Sequence, residues 1–117
     1  MIKNFINSKK QTLEKSHEGT GPYELYEIWK KSDFKSDIDF IDRVVIPPNS
    51  TIGYHQHKNN EEMYIVLEGE GEMTLNGKKV KITKGDMILN SQNDSHGLVN
   101  HSNSNIDLLV IQVSLHK

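Results

Sequence analysis

Apolar and polar positions alternate along most of this chain with a period near two, in short runs broken by turn residues. That is the pattern of half-buried β-strands rather than of helices. The first such run, Tyr23–Trp29, is rich in aromatic and branched residues. Asp39–Ile46 follows and is stopped by Pro47-Pro48, which cannot continue a sheet ladder. Further strands are expected over Thr51–His57, Glu62–Leu67, Glu72–Leu75, Lys79–Ile82, Met87–Leu89, His96–Asn100 and Ile106–Leu115. Asn76-Gly77 between two of these runs is a hairpin turn signal. Lys30–Lys35, Lys84-Gly85-Asp86 and Ser91–Asp94 read as further turns. Residues 1–22 differ: they are polar, show little periodicity and end in Gly19-Thr20-Gly21-Pro22. They read as an arm, with a short helix over Asn7–Lys15 as its one regular element. Many short strands and no convincing helix after residue 36 predict an all-β sandwich or barrel in one domain over residues 1–117.

Composition narrows the chemistry. A chain of 117 residues can bury a real core without a staple. It has no cysteine, which excludes a disulfide framework, a thiol nucleophile and a thiolate metal site. The net charge is −2 and the charged residues are scattered, so neither nucleic acid nor an anionic membrane is an expected partner. The N-terminus lacks the apolar core of a signal peptide, and no run approaches membrane-spanning length. A cytoplasmic protein is expected. Arg43 is the single arginine.

The histidines change the picture most. His55-Gln56-His57 lies in a predicted strand, so both imidazoles point to one face and can share a metal. Glu62 opens the next strand and shares its face with Tyr64 and Val66. His96 begins a later strand, with Leu98 and Asn100 in phase. Each piece alone has a plainer reading: an exposed alternating pair, a solvated turn, a hydrogen-bonded histidine.

The spacing ties them together. Asn49-x5-His55-x-His57-x4-Glu62-x6-Gly69 and Gly85-x5-Ser91-x-Asn93-x2-His96-x3-Asn100 resemble the paired motifs of the cupin superfamily, G-x5-H-x-H-x(3,4)-E-x6-G and G-x5-P-x-G-x2-H-x3-N. Asn49, Ser91 and Asn93 depart from the pattern, but Asn tolerates left-handed turns and none of the three is a ligand position. The resemblance implies a jelly-roll barrel, a double-stranded β-helix with its core at about residues 38–115. It also implies that His55, His57, Glu62 and His96 hold one divalent metal, with Gly69 and Gly85 as turns and Asn100 in a structural role. An N/O donor set without a soft ligand suits Fe, Mn, Zn, Ni or Co. An octahedral ion would keep two positions open for a ligand.

Cupins serve many reactions, so the ligand set does not choose one. Two classes follow: a metal-dependent enzyme acting on a small polar metabolite (a sugar, keto acid or diketone; isomerase, lyase or dioxygenase type), and a non-catalytic metal-dependent binding module. Tyr64 is the expected proton-transfer group, the alternative being a core tyrosine. Arg43 either clamps a substrate carboxylate or lies on the surface, and the surface reading is favoured. His17, His101 and His116 match no motif position and are expected to be solvated. The Glu62–Leu67 strand is apolar on its outer side as well, which calls for a cover by the arm or by a second subunit. A homodimer is therefore expected.

Overall fold

The computed structural model describes residues 1–8, 10–13 and 19–116, with the backbone alone for 10–13. Its strands are β1 (Lys10–Leu13), β2 (Tyr23–Lys30), β3 (Ile38–Ile46), β4 (Thr51–Gln56), β5 (Asn60–Glu68), β6 (Glu70–Leu75), β7 (Lys78–Thr83), β8 (Met87–Asn90), β9 (Ser95–Val99) and β10 (Ile106–Ser114). They form two antiparallel sheets, a larger one in the order β1-β2-β3-β10-β5-β8 and a smaller one in the order β4-β9-β6-β7. From β3 onward the chain passes back and forth between the sheets, as the jelly-roll expectation requires. Each predicted strand from Tyr23 onward is present, with ends moved by one or two residues. A short 3-10 turn over Lys31–Asp33 occupies the expected break after β2.

The crossings depend on backbone that most residues resist. Asn76 and Gly77 both have positive φ and close the β6–β7 hairpin. Asn49 (φ 67°) and Asn93 (φ 71°) adopt the left-handed conformation at the two motif positions where they replace glycine. Gly69 (φ 90°) joins β5 to β6, and a Cβ there would collide with the Asn105 carbonyl oxygen. No other residue type fits that position without moving the chain.

Between the sheets lies one apolar cluster that includes Val44, Ile46, Val66, Met73, Leu98, Ile106 and Leu108. Its period-two supply is clear in β5, where Glu62, Tyr64 and Val66 are buried while Met63, Ile65 and Leu67 are half-buried on the other side. At one end of the barrel Asn100 is fully buried. Its amide donates to the carbonyls of Ile46 (2.9 Å) and Ser104 (2.8 Å), and its oxygen accepts from Ser102 N (2.9 Å) and Oγ (2.7 Å). Three of these bonds hold the turn before β10 and the one to Ile46 ties it to the end of β3, in line with the structural role expected of it.

The arm departs from expectation. Within the described part of Asn7–Lys15 there is no helix beyond a short 3-10 turn over Phe5–Asn7; Lys10–Leu13 is instead an edge strand paired antiparallel with β2. A short polar segment gains little from nucleating an isolated helix, whereas the open edge of β2 offers ready backbone partners. Ahead of it, Phe5 and Lys3 lie on the outer face of the larger sheet. The Phe5 ring is 5.6 Å from the Arg43 guanidinium, and Lys3 Nζ lies 4.6 Å from the Trp29 ring and donates to Ile28 O at 2.8 Å. Among the described residues no helix is long and apolar enough to cross a membrane.

Candidate metal centre

The four motif residues converge at the end of the barrel opposite Asn100. His55 (β4) and His96 (β9) are direct register partners in the smaller sheet. Glu62 lies on the inner face of β5 in the larger sheet. His57, one residue beyond β4, is pinned to the Ser91–Asp94 turn by two backbone bonds, His57 N to Asp94 O (3.3 Å) and Asn93 N to His57 O (2.6 Å). The turn that carries Asn93 in place of glycine thus fixes one of the candidate ligands.

One donor atom from each of the four lies within 4.8 Å of the others. His55 Nε2 and His57 Nε2 are 3.0 Å apart, and Glu62 Oε1 is 3.3 Å from His57 Nε2 and 3.5 Å from His96 Nε2. Donors about 2.1 Å from a common ion are separated by roughly 3.0 Å at right angles and roughly 3.4 Å at tetrahedral angles, so these spacings fit one transition metal. The tautomer of His55 fits too. Its Nδ1 lies 2.8 Å from Gly53 O, which can only accept, so a neutral ring carries its proton there and leaves the Nε2 lone pair facing the cluster. The residues present can therefore hold a metal ion.

Electrostatics point the same way. Burial raises the Glu62 carboxyl, but hydrogen bonds from His57 and His96 and their charge outweigh it and hold it at about 2. The Glu62 carboxylate in turn raises His57 above 6.5, against the opposing effect of burial. The carboxylate is thus ionised across the useful pH range, and proton and metal compete for His57.

A cavity of about 440 Å³ opens onto His55, His57 and Glu62. Apolar side chains such as Phe40, Val44 and Ile52 supply much of its wall, and among the described residues no Lys or Arg lines it. Tyr64 reaches the cavity as phase predicted, with its hydroxyl 3.3 Å from His96 Nε2. Burial and the Glu62 charge push its phenol well above the usual value, so it is a proton-bearing donor in the metal-free protein.

Arg43 is not part of this site. It lies on the outer face between Phe5 and Tyr26 and donates from Nε and Nη2 to both carboxylate oxygens of Asp107, at 2.9 and 2.7 Å. His101 and His116 are exposed, the latter 3.0 Å from an Asp37 carboxylate oxygen. His17 lies outside the described residues. Asp42 was not picked out from the sequence: it is a buried carboxyl that lines the cavity from β3. The signal was there, since Phe40, Asp42, Val44 and Ile46 are in phase and Asp42 is the one polar member. Pro47-Pro48 breaks the phase between that strand and the histidines.

Comparison with known proteins gives these features a setting. The family model described as a cupin domain matches residues 42–112. The oxalate-binding protein of Thermotoga maritima is 31% identical over 97 residues, which cover 83% of this chain and 80% of that protein. A crystal structure described as a predicted oxalate decarboxylase from Thermotoga maritima superposes with a TM-score of 0.95 at 27% identity, covering 98% of this chain and all of that one. The polyketide cyclase RemF from Streptomyces resistomycificus shares the fold at 20% identity, with a TM-score of 0.79 over 97% of this chain and 80% of its own.

Proposed function

The chain belongs to the cupin family, and from that premise we propose that it is a metal-dependent enzyme acting on a small carboxylic acid of the oxalate or keto-acid class. The observation that carries this reading is the set of donor spacings, 3.0, 3.3 and 3.5 Å, around one point that opens onto the cavity. His55, His57, Glu62 and His96 would hold one divalent transition metal, of the Fe, Mn, Zn, Ni or Co group. Such an ion supplies Lewis-acid polarisation of a ligand oxygen. The choice of ligand class leans on the oxalate-binding relative and on the small, partly apolar cavity.

The chain's own residues divide the remaining work. Gly53 O holds the His55 ring in one orientation through Nδ1. Phe40, Val44 and Ile52 give the cavity an apolar wall. Tyr64 carries a proton beside His96, so its role is that of a general acid or a hydrogen-bond donor to the bound acid. A second reading, a non-catalytic binding module, is favoured by the name of the Thermotoga relative, which claims binding and no reaction.

We also propose that two copies associate through the outer face of the larger sheet. Met63, Ile65, Leu109 and Ile111 are half-buried there and run on to Met87 and Leu89, which are largely exposed at the β8 edge. Phe5 and Lys3 sit over β2 and β3, at the other side of that sheet. A second copy placed on the β5–β8 side would cover the apolar remainder. A dimeric mass by light scattering at tens of micromolar, shifted to monomer by Leu89→Lys, is the expected result.

The functional test is titration of the metal-loaded protein with oxalate, glyoxylate and pyruvate by calorimetry, followed by assay of each binder for turnover. Saturable binding with turnover supports the enzyme. Binding without turnover, under every metal of the set and in the presence of oxygen, selects the binding module. No binding by any of these acids removes the carboxylic-acid reading.

A further inference from the structure

Asp42 has a place in the cavity that neither the metal site nor the core explains. Register places Asp42, Val110 and Tyr64 side by side on β3, β10 and β5, in one row across the inner face. Two strand spacings separate Asp42 from Tyr64, about 10 Å between backbones. Asp42 is 8% exposed and lines the cavity, and its Oδ1 is buried without a hydrogen-bond partner. The charges that bear on it are carboxylates: Glu27, its register partner on β2, and Glu62 on β5. Among the described residues the cavity wall offers no Lys or Arg as a counter-ion.

A buried carboxyl that served only the fold would be expected to have its hydrogen bonds made. This one lines the cavity and has a buried oxygen without a partner. Burial first, then the charges of Glu27 and Glu62, push it up to about 7, so a proton stays on it far more readily than on an ordinary aspartate. We propose that Asp42 is a second anchoring point for the bound acid, its neutral carboxyl donating a hydrogen bond to a carboxylate oxygen of a small carboxylic acid held in the cavity. This inference rests on the carboxylic-acid reading above. Charge supports the choice of a neutral donor. A divalent cation and Glu62 sum to one positive charge, which a dianionic acid already exceeds. An ionised Asp42 would add a second negative charge with nothing to compensate it. The carboxylic acid form adds none and supplies a donor on β3, beside the Tyr23 and Tyr64 phenols and the Gln56, Asn60 and Gln112 amides of the lining.

The test compares Asp42→Asn, which keeps a donor of the same size, with Asp42→Leu and Asp42→Ala, which keep none. Metal content is measured first and should equal that of the wild type in all three, because Asp42 is not among the four converging donors. Calorimetric titration with oxalate should then show binding weakened roughly 10- to 100-fold in Asp42→Leu and Asp42→Ala, and changed by no more than about threefold in Asp42→Asn. A second measurement needs no ligand: the metal-free Asp42→Asn protein should melt higher than the wild type, since it removes an uncompensated buried carboxyl. Wild-type affinity in the Leu and Ala variants would remove Asp42 from ligand contact and leave the carboxylic-acid reading standing. Equal losses in the Asn and Leu variants would overturn the neutral donor, and a lower melting point for metal-free Asp42→Asn would make Asp42 a structural residue. If the wild type binds no oxalate, glyoxylate or pyruvate, the carboxylic-acid reading fails and this contact fails with it.

Discussion

The two ends of the barrel bury polar side chains for opposite reasons. At one end Asn100 makes four hydrogen bonds and has nothing left to offer. At the other, where His55 and His96 pair across β4 and β9, His96 Nδ1, Asp42 Oδ1 and both polar atoms of Asn90 are buried without partners. The same strands and the same solvent exclusion act on both ends. A satisfied polar group fixes the chain, whereas a buried unsatisfied one costs free energy unless a water, ion or ligand completes it. Substitutions at the two ends should therefore fail in different ways.

The largest expected effect is on turnover. Tyr64→Phe keeps the ring in the core and removes only the hydroxyl beside His96. If the protein is an enzyme, its rate on the eventual substrate should fall about 10²–10⁴-fold. Metal content should be unchanged, and ligand affinity should change by no more than about 1 kcal/mol. Full activity in this variant would take Tyr64 out of the mechanism.

Asn100→Ala tests the closed end. Removing the amide leaves the carbonyls of Ile46 and Ser104 short of a donor, and the Ser102 hydroxyl and amide lose their acceptor. Stability should fall by about 2–4 kcal/mol in a denaturant titration. The folded fraction should still take up metal as the wild type does, which would separate the two ends experimentally. Loss of metal at unchanged stability would erase the distinction.

A smaller effect follows from proton competition at the open end. His57 is raised above 6.5 in the metal-free protein, chiefly by its hydrogen bond to Glu62, and only its neutral form binds metal. Apparent metal affinity should weaken as pH falls through that raised value, by up to about tenfold per unit for this proton. The metal-free stability runs differently. The Glu62 contribution is present above 4.5 and lost as pH falls toward 2, and the His57 contribution is present below 6.5 and lost as pH rises through its folded value. Metal-free protein should thus gain most from this pair between pH 4.5 and 6.5, and metal-loaded protein at higher pH. A scan of melting temperature against pH, with and without chelator, checks both signs.

How far each end was legible in the sequence follows from the same physics. Strands from Tyr23 onward could be placed because alternation and turn residues act locally, and the asparagines at 49, 76 and 93 marked left-handed positions by residue type. The convergence of His55, His57, Glu62 and His96 came from motif spacing. Within-strand phase gave Tyr64 its inward face. What stayed hidden depended on pairing between distant strands. The phase of β3 marks Asp42 as inward, but its place in one row with Tyr64 comes from β10 lying between β3 and β5, a register that no local pattern specifies. Arg43 could not be oriented across Pro47-Pro48, and its partner Asp107 is 64 residues away. The helix expected within the arm is absent from its described part because Lys10–Leu13 takes its conformation from the open edge of β2 rather than from its own composition.

Whether the four converging donors hold a metal can be read directly. Protein purified without chelator and passed through gel filtration should carry close to one divalent transition metal per chain by elemental analysis. The His55→Ala, His57→Ala double variant, folded by circular dichroism, should carry none, because two donors are too few to hold the ion in a defined geometry. Full metal stoichiometry in that double variant would contradict the assignment of the site.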